Sequence, residues 1–236
     1  MKPVLFVADL HLDAAARPAT LELFEEFVEQ RAARAQALYI LGDLFEAWIG
    51  DDDDGDTGAR VAAALAPLQH AGVPAYFIHG NRDFLLGQKF ADAAGLRLLA
   101  DPYDLTLPEW SFVLSHGDAL CLDDTAYQEF RTRVRTPEWQ EKMLARPRFV
   151  RRLVARYFRW RSRNTARAVY ADLNPSATDD FLRDHPEFVE IPVKELLGSE
   201  RAHKLGDGQR LRLLPTPDGP DGFFAAVLRR RDGEPA

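Results

Sequence analysis

Four short apolar runs, each leading into a polar residue able to hold a metal ion, constrain this chain more than any other feature. The runs are residues 4–8, 38–41, 75–79 and 111–115. They lead into Asp9, Gly42-Asp43, Gly80-Asn81 and His116. Continuous apolar segments of this length suit strands buried on both faces of a sheet. Helical patterns lie between the first three. Residues 20–35 set Leu21, Phe24, Phe27 and Val28 on one stripe, and residues 60–71 do the same with Val61, Ala64, Leu65 and Leu68. Strands alternating with helices predict an α/β sandwich. In such sheets ligands gather at the carboxyl ends of the strands, where the polar residues of this chain cluster.

Each tip carries its own chemistry. Residues two apart in a strand face the same side, so Asp9 and His11 can grip one ion through an oxygen and an imidazole nitrogen. Gly42 permits a tight turn and leaves Asp43 exposed, where two carboxylate oxygens can bridge two ions. The alternative for Asp43 is an ordinary loop aspartate or a helix N-cap. Asn81 offers a neutral carbonyl ligand or is a turn residue. Arg82 offers a planar donor fork suited to phosphate. His116, in His116-Gly117-Asp118, is either a ligand or a core histidine. Each element is weak by itself. Their order and spacing favour a shared metal site. Oxygen and nitrogen ligands without cysteine suit a hard or borderline divalent ion such as manganese. Two such ions can activate a water and clamp a phosphoryl group.

The totals set bounds on partners. Of 236 residues, 46% are hydrophobic, enough for a packed core. A net charge of −7 argues against a nucleic-acid partner. It does not argue against a phosphorylated substrate, because bound ions can supply the positive field. The single cysteine, Cys121, cannot form an internal disulfide and fits a reducing, cytoplasmic compartment. The apolar run 4–8 is too short for a signal-peptide core, and no run approaches the ~20 residues that span a bilayer. A soluble chain, or one lying on a membrane surface, is the expectation.

The pattern changes after His116. Residues 123–172 read as helix. Within 146–163, Phe149, Val150, Leu153, Val154, Tyr157, Phe158 and Trp160 recur at helical spacing among eight arginines. Either the apolar stripe packs and the arginines are solvated, or the helix lies on anionic lipid. The acidic run 51–54 is expected to be a solvated loop. From residue 178, Pro, Gly and Asp punctuate apolar pieces at 211–214 and 223–228, which can pair as strands.

Asp9-Leu10-His11, Gly42-Asp43, Gly80-Asn81-Arg82-Asp83 and His116-Gly117-Asp118 together resemble the calcineurin-like metallophosphoesterase family. Within it, residues 41–52 (Leu-Gly-Asp-Leu-Phe-Glu-Ala-Trp-Ile-Gly-Asp-Asp) and 76–85 (Tyr-Phe-Ile-His-Gly-Asn-Arg-Asp-Phe-Leu) resemble the UDP-2,3-diacylglucosamine pyrophosphatases of lipid A synthesis. Most of the wider family has histidine where Arg82 stands. The resemblance covers residues 3 to about 176. It implies an αββα sandwich with a helical lid, and hydrolysis of a UDP-linked acylated glucosamine to UMP and a diacylglucosamine 1-phosphate. It also implies two manganese ions and a peripheral place on the cytoplasmic face of the inner membrane. Asp9 and His11 would bind the first ion, Asp43 would bridge, and Asn81 and His116 would bind the second. Asn81 and Arg82 would serve catalysis, and with Asp124 and Ser162 they would contact the substrate. The implied division is a core at 1–122, a lid at 123–175 and an atypical tail at 176–236.

The family's later Gly-His-x-His motif is missing. After His116 only His185 and His203 remain, and neither has the motif's spacing or a preceding strand. The tail, through Phe181-Leu182-Arg183-Asp184-His185-Pro186 and residues 211–215 and 221–230, is similar instead to the end of ribosomal RNA cytosine-C5 methyltransferases, without their cofactor loop or cysteines. A join near 176–181 is therefore expected. So are an incomplete or replaced C-terminal part of the sheet, and weaker metal binding and turnover than a complete enzyme's.

Overall fold

The computed structural model describes residues 2–108, 110–122, 124–165, 175–200, 202, 208–213 and 223–230. Two compact units emerge. The first holds the described residues of 1–103, 115–119 and 124–170, and the second those of 104–114, 120–123 and 171–236.

The first unit is built on a parallel sheet. Strands β1 (Val4–Val7), β2 (Ala37–Ile40), β3 (Ala75–Phe77) and β4 (Leu96–Leu98) lie side by side in chain order. Phe6 is opposite Tyr39, and Tyr39 is opposite Tyr76. These rings stack across the strands with centroids 5.3 and 4.6 Å apart. Cross-strand aromatic pairs of this kind fix register as well as adding contact area. Every residue of β2 is buried, as an inner parallel strand requires. Helices α1 (Pro18–Gln30), α2 (Asp56–His70) and α3 (Gln88–Ala94) complete the βα units. Leu21, Phe24 and Val28 of α1 and Val61, Leu65 and Leu68 of α2 join Leu38, Ile40 and Phe77 in one core. The stripes legible in the sequence are therefore the buried faces. β4 and α3 were not anticipated; their three and seven residues are too short to establish a period.

The segment expected to be helical contains α4 (Thr125–Val134), α5 (Pro137–Leu144) and α6 (Arg148–Thr165). α4 starts on Asp124, whose Oδ1 accepts from the Tyr127 N–H at 2.9 Å. Pro137 opens α5 at a position where its missing N–H costs nothing.

On α6 the first of the two readings, a packed stripe with solvated arginines, does not hold. The apolar stripe does not all pack: Phe149, Leu153, Tyr157 and Trp160 are 54–66% exposed. The arginines are not simply solvated either. Arg151 is buried, donates to the Ile49 carbonyl and forms a two-pronged pair with Asp52. Arg148 lies 2.8 Å from Asp54, and Arg152 lies 2.7 Å from both Asp53 and Asp54. The acidic run is thus the counter-charge of α6 rather than a free solvated loop. Asp51 turns the other way. It accepts from the N–H groups of Gly87 and Phe90 and from the Trp48 indole, which fixes the start of α3.

The second unit contains β5 (Tyr103–Leu107) from Asp104 on, β6 (Trp110–Leu114), α7 (Pro175–Asp184), β7 (Phe188–Ile191), α8 (Val193–Leu197), β8 (Leu211–Leu213), β9 (Phe223–Ala225) and β10 (Val227–Arg230). β5 pairs with β6, β7 with β10 and β8 with β9. The two apolar tail pieces do pair, antiparallel, with Leu211 opposite Ala225 and Leu213 opposite Phe223. Arg210 ties this unit to itself through Glu190 and Asp179. His203 lies outside the described residues.

Candidate active site

β1 ends at Val7, yet the chain stays beside its neighbour. The Asp9 N–H donates to the Gly42 carbonyl, that of His11 to Asp43 and that of Leu12 to Leu44, at 2.9–3.1 Å. This extension of the ladder past the regular strands sets Asp9 and His11 alongside Asp43. Strand alternation is not what brings them together. Asp9, His11 and Asp43 all adopt positive φ, at 55°, 48° and 50°, and among the described residues they are the only non-glycine residues to do so. Left-handed backbone at such residues costs about 1–3 kcal/mol each and persists where the surroundings over-determine it. Its concentration on these three marks the site independently of their chemistry.

The donor atoms of Asp9, His11 and Asp43 all lie within 4.8 Å of one another. His11 Nδ1 is 3.8 Å from Asp43 Oδ2 and 3.9 Å from Glu46 Oε2, too far for direct hydrogen bonds to either. His116 faces Asp43 from the other side, with Nε2 3.7 Å from Oδ1. Its Nδ1 is 2.9 Å from the Leu41 carbonyl and must donate to it. That bond commits Nδ1 as a donor and turns Nε2 toward Asp43, the ring orientation seen in metal-ligating histidines. Asp43 is neither an N-cap nor a loose loop residue: it is 2% exposed, and α2 begins later, at Asp56.

Burial pushes the Asp43 carboxyl well above the usual range, opposed by His116 and reinforced by the charges of Asp83 and Asp9. Burial alone would lower the His116 imidazole, but Asp43, Asp9 and Asp118 raise it overall. The exposed Asp9 and the buried Asp43, with imidazole nitrogens facing them across gaps of this size, fit a divalent cation. The cation would offset the burial and, to a lesser degree, the neighbouring carboxylates that raise Asp43. The donor set of oxygens and nitrogens suits a hard or borderline ion.

The third tip is tied to the second. Asp83 is fully buried and accepts from the N–H groups of Gly80 at 2.8 Å, Leu44 at 2.7 Å and Asp43 at 3.3 Å. The Arg82 N–H donates to Asp43 Oδ1 at 2.8 Å. The Arg82 guanidinium has Nε 3.8 Å from Asp43 Oδ2 and Nη1 3.2 Å from Glu46 Oε1. Asn81 is exposed between Gly80 and Arg82. His79 is not part of the cluster; its Nε2 bonds the Leu86 carbonyl.

Of the residues singled out from sequence, Asp9, His11, Asp43, Arg82 and His116 converge, and Asn81 stands in the same loop as Arg82. Asp124 has one oxygen committed to capping α4. The Ser162 side chain lies outside the described residues. His185 stacks on Phe181 and lies 3.4 Å from Glu187. Three participants were not read as such: Glu46, which braces Arg82; Asp83, which joins two tips; and Asp118, which is buried beneath His116. Asp83 and Asp118 stood inside motifs already recognised. Glu46, three residues after Asp43, stood inside the 41–52 run without a role of its own.

Asp-x-His, Gly-Asp and Gly-Asn-Arg-Asp at the tips of three parallel strands, met by His-Gly-Asp from the end of β6 in a separate two-stranded sheet, define a metal-dependent phosphoesterase. The chain belongs to the calcineurin-like phosphoesterase family, whose profile matches residues 2–190 and so reaches beyond the join expected near 176–181. It is a hydrolase of that family, and the family implies divalent metal ions. The chain is similar to the UDP-2,3-diacylglucosamine hydrolase of Serratia proteamaculans (strain 568), at 48% identity over 77% of this chain and 76% of the relative. It is also similar to the protein of that name from Klebsiella pneumoniae, at 46% identity over 77% and 76%. A third relative of that name, from Stenotrophomonas maltophilia, is 49% identical over 72% of this chain and 66% of the relative.

Proposed function

We propose that this chain hydrolyses the pyrophosphate bond of UDP-2,3-diacylglucosamine, giving UMP and 2,3-diacylglucosamine 1-phosphate, with two manganese ions. The supporting observation is the convergence of Asp9, His11, Asp43 and Arg82, from the tips of the parallel sheet, with His116 from the end of β6. Asp9, His11 and Asp43 would hold the first ion, and Asp43, Asn81 and His116 the second. Such ions supply an activated water and charge neutralisation at the phosphoryl oxygens. The protein's own part is positioning and electrostatics. His116 is oriented by the Nδ1–H that it donates to the Leu41 carbonyl, with Nε2 on the Asp43 side. Glu46 holds the Arg82 fork in place, where it can donate to phosphate oxygens as negative charge builds. The water oxygen joins one phosphorus as the bridging P–O bond breaks.

The missing Gly-His-x-His motif favours a second reading, a metal-binding chain with little turnover. One experiment separates them. The purified chain with manganese and UDP-2,3-diacylglucosamine is expected to release UMP and the lipid phosphate, read by mass spectrometry, at a rate well below a complete enzyme's. Two bound ions by calorimetry without products supports the second reading. Phosphate release from simple monoesters alone overturns the first.

The proposed location is the cytoplasmic face of the inner membrane, held peripherally. No helix among the described residues is long and apolar enough to cross a bilayer. The support is the α6 face bearing Phe149, Leu153, Tyr157 and Trp160, spaced four, four and three residues apart and all exposed. Aromatic and aliphatic side chains above a basic helix suit insertion at an anionic headgroup boundary. Binding to anionic vesicles is expected to fall with salt and to weaken in a Leu153→Ser/Trp160→Ser variant. Equal binding to neutral vesicles would remove the electrostatic part of this reading.

A further inference from the structure

Tyr127 and Arg131 of α4 and Arg135, which caps its C-terminus in helical conformation, stand at successive four-residue steps, so all three project from one face. That face meets two of the metal-site loops. Arg135 Nη2 donates to the Gly80 carbonyl at 3.1 Å and to Asp118 Oδ2 at 3.0 Å, and both terminal nitrogens lie 3.4 Å from the His79 carbonyl. Gly80 directly precedes Asn81, and Asp118 follows His116 by two residues. One guanidinium therefore spans the loops bearing Asn81 and His116.

The anchor on the His116 side is firm. Asp118 is 6% exposed and also accepts from the Tyr127 hydroxyl at 2.7 Å, with Arg131 Nε 2.9 Å from its other oxygen. Arg131 reaches on to Asp101 at 3.2 Å. Asp101 accepts from the Ser115 hydroxyl, and Ser115 Oγ accepts from the Gly117 N–H. The residues on both sides of His116 are thus held from α4. Burial alone would raise the Asp118 carboxyl; Arg135, the Tyr127 hydrogen bond and Arg131 together hold it below its usual value.

We infer that Arg135 is a positioning residue for the second metal position, fixing the separation of the Asn81 and His116 loops through its bonds to Gly80 and Asp118. It touches neither substrate nor ion. The inference rests on the assignment of Asn81 and His116 to one ion made above. The Tyr127 hydroxyl and the charge of Arg131 leave Asp118 anchored without Arg135, whereas the Gly80 and His79 carbonyls lose their tie to it. Losing the bridge should therefore loosen the site more than the fold.

The test is manganese titration of the metal-free full-length chain by calorimetry, beside its metal-free thermal melt. The wild-type chain is expected to show two binding events, one of which His116→Ala removes. Arg135→Met is expected to weaken that event on the order of 10–100-fold, the usual range for groups that orient ligands. The event owed to Asp9 and His11 should stay within about twofold, since Arg135 bonds neither loop that carries them. Arg135→Lys retains the charge beside Asp118 but lacks the planar fork, so it should keep the wild-type melt and recover only part of the affinity. Two wild-type events that persist unchanged in both variants overturn the inference alone. A wild-type chain without the second event overturns the two-ion reading together with it.

Discussion

Gly80→Ala is expected to remove metal binding from the site. A Cβ on Gly80 would overlap Asp43 Oδ1 and the Asp43 backbone nitrogen, far inside any real contact. The obstruction is mutual: a Cβ on Gly42 would lie 2.7 Å from the Gly80 backbone and from His116 Nδ1. The tips of β2 and β3 touch backbone to backbone, and the side-chain atoms in the way, from Asp43 and His116, belong to the site itself. Either Asp43 moves or the β3 loop does, and both break the cluster. Metal affinity should fall by more than about a hundredfold, with an overpacking cost of about 1–3 kcal/mol in urea unfolding. Gly117 provides the control. Its φ is +91°, but a Cβ there meets nothing within 4 Å. Gly117→Ala should therefore cost only about 1–2 kcal/mol of left-handed strain, with metal affinity largely kept. Wild-type affinity in Gly80→Ala would refute the close-contact account.

Asp83→Asn is expected to be at least as damaging to stability, although Asp83 is not itself proposed as a ligand. Oδ1 accepts from Gly80 at 2.8 Å and Asp43 at 3.3 Å, while Oδ2 accepts from Leu44 at 2.7 Å and approaches the Phe45 N–H at 3.4 Å. Only a carboxylate presents acceptors on both sides. An amide must turn its NH2 toward one set of backbone N–H groups, which leaves donors facing donors in a fully buried place. The expected loss is about 3 kcal/mol or more, from unsatisfied buried donors and the loss of charge-assisted bonds. Urea denaturation of the metal-free chain measures it. Because the same carboxylate joins the Asp43 and Asn81 loops, metal affinity should fall with stability. An unchanged midpoint would mean that the apex is held by other groups.

The core of the site was legible because its signals are local. Asp9, Asp43, Asn81 and His116 each follow an apolar run, and a run that ends on a polar residue can be read without knowing its neighbours. The supporting residues were hidden because their partners are distant in the chain. Asp118 precedes Arg135 by 17 residues, while Gly80 is 55 away from it. The pairing of Asp52 with Arg151 joins residues 99 apart. Both charge clusters were visible as composition, one acidic and one basic, but nothing in either cluster named the other as its counter-charge.

The sequence by itself determined the alternation of buried strands and amphipathic helices, the places where strands end, and the kinds of ligand found there. Hydrophobic period and residue chemistry are properties of neighbours in the chain. The tertiary structure decided how those ligands meet. Positive φ at Asp9, His11 and Asp43 is not preferred by free residues of these types. It is imposed by the ladder that continues from β1 and β2 into their loops, by the glycine-to-glycine contact of two tips and by the Asp83 carboxylate that binds them. The exposed face of α6 was likewise settled only when its arginines found the acidic loop.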